Sequence, residues 1–218
     1  MPEKKRVIGL DFDNTLVSYD KVMYQTAQAM GFIKAAERGL NKTKIRDRIR
    51  TLPAGELKWQ KLQAEVYGKR MDKAQLIKGV EKFLKACREE GIKTFIVSHK
   101  SRYAAQDTEK AHNLQEAALR WMRQQGFFDQ DGLGLHQAHV YFEDTRQAKA
   151  ARITELKCTH FVDDLQEVFL EKTFPRATKR LLLSSDITVM DGVKVFSSWE
   201  EIYNYFFKNN QLEELRGA

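Results

Sequence analysis

The chain predicts an α/β fold: a parallel sheet covered by helices on both faces, with an all-helical block inserted after the first strand. Two observations carry this expectation. From about residue 80 onward, short apolar runs alternate with helical stripes, which is the pattern of strands buried between helices. Between Ser18 and Lys78, by contrast, the periodic segments all read as helices and no strand is convincing.

The elements follow in order. Val7, Ile8, Gly9 and Leu10 read as a buried strand, extended by the apolar anchors Phe12, Leu16 and Val17. Val22, Met23, Ala27 and Met30 recur at helical spacing, with Gly31 as the stop. Residues 41–52 and 55–71 also read as helices, separated by Pro53. Val80, Phe83, Leu84 and Cys87 mark a helix face that Gly91 ends, and residues 92–98 form a strand. A long polar connection, 99–113, leads to a helix carrying Leu114, Ala118, Trp121 and Met122. Beyond Gly126 come a strand near 139–143, a helix over 145–156, a strand at 159–163 and a short helix from Leu165. Strands at 179–183 and 193–196 and an amphipathic helix at 198–207 complete the chain. The expected organisation is an α/β core from residues 1–17 and 79–218, with 18–78 as the helical insert.

Composition narrows the class without naming a function. A chain of 218 residues with 42% hydrophobic content can bury a sizeable core. The basic start, MPEKKR, precedes too short an apolar run for a secretory signal, and no stretch is long enough to span a bilayer. Cys87 and Cys158 lie inside apolar patterns, away from metal-ligand spacing, so a reducing, cytoplasmic setting is expected. The formal charge of +7 favours anionic partners, from phosphorylated metabolites to nucleic acid, without choosing among them.

Chemistry concentrates where strands end, because ligands of open α/β sheets bind outside the carboxyl ends of the strands. The first strand ends in Asp11 and Asp13, two carboxylates set in an apolar run. A buried unpaired carboxylate costs several kcal/mol. The strand at 92–98 ends in Ser98, followed by His99 and Lys100, and the strand at 159–163 ends in Asp163 and Asp164. Lys149 lies on the helix just before. Carboxylates converging on one edge repel unless a cation joins them, and hard oxygen donors suit Mg²⁺.

Asp11-Phe12-Asp13-Asn14-Thr15 resembles the DxDx(T/V) first motif of the haloacid dehalogenase superfamily. Ser98 resembles its second motif, Lys149 its third, and Phe161-Val162-Asp163-Asp164 its acidic fourth, in the same order. The resemblance implies a Rossmann-like three-layer core with a helical cap inserted between the first and second motifs. It implies that Asp11 is a nucleophile forming an aspartyl-phosphate and that Asp13 is the general acid and base, with its backbone carbonyl on the metal. It further implies that Ser98 and Lys149 hold the phosphoryl oxygens and that Asp11, Asp13, Asp163 and Asp164 surround Mg²⁺. Asp164 is expected as the direct ligand and Asp163 as its support, the reverse assignment remaining open, and Glu167 stands where some relatives carry a further aspartate. Thr15, His99 and Lys100 join the expected phosphate-binding set, and Lys157 lies near the same strand. Dehalogenases of the superfamily lack the second aspartate; its presence favours a phosphatase.

Specificity is expected in the insert. Its segment 41–50 carries Lys42, Lys44, Arg46, Arg48 and Arg50 against Asp47, most of them reading as a solvated face. Lys42 and Lys44 are the best candidates to reach a second anionic group of a substrate. Tyr19, Trp59 and Tyr67 read as stacking groups or as buried packing, and Arg102 and Tyr103 as contacts of a second lid. The expected function is hydrolysis of a small phosphorylated metabolite. The alternatives are a nucleic-acid end phosphatase and a non-enzymatic phospho-acceptor.

Overall fold

The computed structural model describes residues 5–104, 110, 112–185 and 190–208. It divides the chain into two compact units. The first gathers Met1–Leu16, Leu76–His99 and Gly126–Ala218; the second gathers Val17–Gln75 and Lys100–Gln125.

The first unit is built on a six-stranded parallel sheet. Its strands are β1 (Val7–Leu10), β4 (Lys93–His99), β5 (Val140–Glu143), β6 (His160–Asp163), β7 (Lys179–Leu183) and β8 (Val193–Phe196), in the spatial order β5-β4-β1-β6-β7-β8. The two numbers missing from this series, β2 (Val17–Ser18) and β3 (Gln75–Leu76), form a separate two-residue ladder. Ladders this short leave no periodicity in sequence, so the expectation of no strand in 18–78 missed them.

The parallel register runs Leu10 opposite Ile96 and Val162, and Ser98 opposite Phe142. From β1 the chain builds outward through β4 and β5, then returns to β6 on the other side of β1. The strand order therefore reverses at β1, and that is where carboxyl-end loops diverge and leave a crevice.

Among the described residues, four helices cover this sheet: α4 (Val80–Glu89), α6 (Arg146–Glu155), the single turn α7 (Gln166–Phe169) and α8 (Trp199–Phe207). Side chains alternate along each strand, so one face presents Phe95, Val97, Phe161 and Leu182 to Ile153, Val168 and Phe169 of α6 and α7. Burying each such side chain contributes about 1.5–3 kcal/mol. On α4 and α8, Phe83 packs against Trp199 and Phe206 at ring separations of 4.9 and 5.5 Å. Two glycines are dictated by this packing. A Cβ on Gly9 would stand 2.5 Å from the Phe161 ring, and Gly79, with φ +98°, starts α4 against Trp199.

The second unit is helical: α1 (Asp20–Ala29), α2 (Lys42–Arg50), α3 (Gly55–Ala64), a π-helical turn at Glu65–Lys69, a 3₁₀ turn at Met71–Lys73, and α5 (Leu114–Gln124). Asn41 caps α2 by accepting from the Lys44 N–H, and Asn113 caps α5 from Gln115 and Glu116. Two differences from expectation matter. The helix expected over 55–71 opens after Ala64 into the π turn. The unit also takes in α5, beyond the expected 18–78, because the apolar stripe of α5 packs on the insert: Trp121 is buried and its Nε1 donates to the Ala74 carbonyl at 3.0 Å. Of the expected connection 99–113, residues 105–109 and 111 lie outside the described residues. Among the described residues no helix is long and apolar enough to cross a membrane.

Candidate active site

Asp11 extends β1 by one residue, its N–H donating to the Val162 carbonyl of β6 at 2.9 Å. This ladder bond holds it at the sheet centre, and only 5% of the residue is exposed. Two donors converge on its Oδ1: Ser98 Oγ at 3.1 Å and Lys149 Nζ at 2.6 Å. Ser98 stands near the end of β4, fully buried. Lys149 is placed by α6, whose N-cap Thr145 accepts from the Ala148 N–H at 3.0 Å. Lys149 and Ile153, four residues apart, share the buried face of that helix, so the packing that seats Ile153 drives the lysine inward as well.

Lys149 also donates to Asp163 Oδ2 at 2.6 Å, making one ammonium the bridge between two buried carboxylates. Burial opposes the lysine's charge, but Asp11 and Asp163 together outweigh it and raise its pKa above the usual range. Burial pushes the Asp163 carboxyl up to about 7, against the pull of Lys149 and with some repulsion from Asp11. These directions conflict, since an ionised Asp163 is what raises the lysine. The short contact favours the charged lysine, because a bidentate bridge to two carboxylates leaves it little reason to lose its proton. The other Asp163 oxygen accepts from the Leu165 N–H at 2.9 Å.

The turn after β1 is fixed from outside. Asn14 adopts φ 57°, a left-handed conformation asparagine tolerates, and the Trp199 indole donates to the Thr15 carbonyl at 2.7 Å. Thr15 is buried, and its hydroxyl faces Asp164 Oδ1 at 3.4 Å, so the threonine expected at a phosphate points to the acidic pair. Asp13 is half-buried in this turn. Asp11, Asp163 and Asp164 each offer an oxygen within 4.8 Å of the others. The carboxylate of Asp13 is not in that group. Three carboxylates against the one Lys149 ammonium leave a formal charge of minus two, and the donors are all hard oxygens. That donor set fits a divalent cation.

Several expected residues lie elsewhere. His99 is exposed, and its Nε2 bonds the Asp144 carbonyl at 3.0 Å, which turns the ring toward β5. Glu167 and Lys157 are exposed. Lys42, Lys44 and Lys100 belong to the helical unit. Lys44 is exposed on α2, whereas Lys42 and Lys100 both turn to the ring of Tyr67. Arg46, Arg48 and Arg50 pair with Asp47, Glu37 and Glu56. Neither cysteine competes as a nucleophile, since burial pushes both thiols up to about 12. The Leu165 N–H, which holds Asp163, is a backbone group and left no sequence signal.

A family profile of haloacid dehalogenase-like hydrolases matches residues 5–120. Among curated proteins no sequence match is found. Among solved structures, a Had-superfamily hydrolase from Ehrlichia chaffeensis is 16% identical, with a TM-score of 0.53 over 93% of this chain and 97% of that one. A HAD family hydrolase from Deinococcus radiodurans, solved with bound phosphate and sodium, is 13% identical, with a TM-score of 0.56 over 93% and 95%. A predicted phosphoglycolate phosphatase from Haemophilus somnus is 14% identical, with a TM-score of 0.54 over 94% and 100%. At these identities the structures share the fold. The profile match spans more than half of the chain and runs through the Asp11 and Ser98 segments, and it follows that this protein belongs to the haloacid dehalogenase-like hydrolases.

Proposed function

We propose that the protein is a Mg²⁺-dependent phosphatase that hydrolyses a small phosphomonoester through an aspartyl-phosphate on Asp11. The observation that carries this reading is the buried Asp11 carboxylate, held by Ser98 and Lys149, with a second aspartate, Asp13, two residues on.

Both hydrogen-bond donors to Asp11 among the described residues engage Oδ1, and Oδ2 is the oxygen left to attack. Its lone pair forms the new P–O bond as the bond from phosphorus to the ester oxygen breaks. Asp13 gives its proton to that leaving oxygen. In the second step Asp13, now a carboxylate, takes a proton from water as the water oxygen bonds to phosphorus. The P–O bond to Asp11 breaks and inorganic phosphate leaves. Splitting the displacement in this way lowers each barrier. Ser98 and Lys149 are fixed donors for charge that develops near Asp11, and one such donor commonly supplies about 2.7–4 kcal/mol. Asp164 and Asp11, with the Asp13 carbonyl, would hold Mg²⁺, and Asp163 would support them through Lys149. When bound, the ion neutralises phosphoryl charge and holds the phosphoryl group in line with the nucleophile. The pairing of Arg46, Arg48 and Arg50 with local carboxylates favours a small metabolite over nucleic acid.

The test is phosphate release from sugar phosphates, nucleotides and end-phosphorylated oligonucleotides, with Mg²⁺ or chelator. Mg²⁺-dependent turnover of small esters, abolished in Asp11→Asn, is the expected result. Turnover that survives Asp11→Asn rules the mechanism out. A best substrate among the oligonucleotides, with steep salt dependence, would move the assignment to nucleic-acid ends.

A further inference from the structure

The turn that carries Asp13 is fastened by a residue from the far end of the chain. Trp199 opens α8, and its indole N–H donates to the Thr15 carbonyl at 2.7 Å across 184 residues of sequence. Trp199 is 1% exposed and Thr15 not at all. A carbonyl buried that deeply needs a donor. Among the described residues no backbone N–H reaches it, and the indole takes that place.

The donor is itself held. Ser198 caps α8 by accepting from the Glu201 N–H, and Glu201 accepts in turn from the Ser197 N–H at 2.7 Å, which fixes the first turn of the helix. Phe83 packs on the indole at 4.9 Å, and a Cβ added to Gly79 would stand 2.8 Å from Trp199 Cβ, so the side chain has no room to retreat toward α4. The catalytic turn is tied at neighbouring points as well. The Leu16 N–H donates to the Phe12 carbonyl at 2.9 Å, and the Leu16 carbonyl accepts from the Ile77 N–H at 2.9 Å. Between Asp13 and the pinned Thr15 stands one residue, Asn14, in the left-handed conformation with φ 57°. A shift of the Thr15 carbonyl is therefore passed to Asp13 over a short, tightly turned stretch. A general acid must stand within hydrogen-bond reach of the atom it protonates, and a misplacement of about 1 Å can cost about a hundredfold in rate.

We infer that Trp199 is a positioning residue for Asp13: by holding the Thr15 carbonyl, it sets the turn from which the Asp13 carboxyl reaches the leaving oxygen. The inference rests on the phosphatase reading.

The test is kcat/KM, which reads formation of the Asp11 adduct, over a series of phenyl phosphates running from poor to good leaving groups. Trp199→Phe keeps a ring against Phe83 and deletes the N–H. It is expected to lose about tenfold on phenyl phosphate and under about threefold on p-nitrophenyl phosphate, whose leaving oxygen departs with little help from an acid. The dependence of kcat/KM on leaving-group pKa therefore steepens. A smaller folded fraction would scale every ester alike and leave that slope unchanged. Replacement of Trp199 by 3-benzothienylalanine, which puts sulfur in place of the N–H within the same bicyclic outline, is expected to give the same steepening with the packing kept. That chain decides the matter should Trp199→Phe fail to fold. A slope equal to that of the unsubstituted chain overturns the inference alone. Absence of turnover of every ester by the unsubstituted chain overturns the phosphatase reading and the inference with it.

Discussion

Lys149 is the residue on which the buried carboxylates depend. It is 1% exposed and reaches Asp11 and Asp163 at 2.6 Å each, so its removal leaves two charges in an apolar site with no cation between them. Breaking a buried pair from one side commonly costs about 3–5 kcal/mol. Lys149→Met is therefore expected to lose that much stability in a denaturant titration, and Asp163→Asn in the same chain to recover most of it by removing one orphaned charge. If Lys149→Met unfolds at the unsubstituted midpoint, the bridge does not hold the site together. The lysine was legible in sequence as a candidate; its burial was not, since a lysine four residues before an isoleucine on a helix is ordinarily solvated.

At the scale of elements, β1 and β6 set the tolerances. Gly9 lies on β1, where an added Cβ would meet Phe161 ring carbons at 2.5 and 2.8 Å and Cys158 Sγ at 3.0 Å. That ring is buried between the sheet and α6 and cannot swing aside, so Gly9→Ala is expected to cost about 1–3 kcal/mol by overpacking. An unchanged melting temperature would contradict it. On β6, His160 packs against Phe206 at 4.9 Å and accepts or donates at Thr159 Oγ1. Burial lowers its pKa to about 4, with Lys179, Arg6 and Lys194 adding repulsion. The unfolded chain binds a proton near pH 6.5 that the folded chain refuses. Stability from this group is therefore complete above pH 6.5, falls as pH drops, and levels off below about pH 4. After discounting for solvent that reaches the ring, the loss is about 1–2 kcal/mol. His160→Gln should flatten the stability curve across that window by this amount, measured as the difference between the two chains.

At the scale of the whole molecule, the proposed Mg²⁺ site would couple the acidic group to the stability of the fold. A cation that binds only the folded chain stabilises it by about 2.7 kcal/mol at a hundredfold excess over Kd. For a chain of this size that is a rise of about 5–10 °C in Tm. Mg²⁺ is expected to produce such a rise in a thermal melt, chelator to reverse it, and Asp164→Asn to remove most of it. An equal shift in Asp164→Asn would place the ion elsewhere.

The sequence by itself determined the α/β alternation and the edge where Asp11, Ser98 and Asp163 meet. Burial on both sheet faces imposes an apolar run on each strand, and parallel strands bring their carboxyl ends to one side. Those constraints are local in the chain and leave a periodic trace. Tertiary structure decided what depends on residues far apart. Trp121 drew α5 into the helical unit by bonding Ala74, the buried Ala150 and Ile153 face of α6 drew Lys149 inward, and the Asp144 carbonyl turned His99 aside. The π turn at Glu65–Lys69, which carries Tyr67, is of the same kind. Its residues carry ordinary helical spacing, and the turn packs against α5, which is remote in the chain and outside any local pattern.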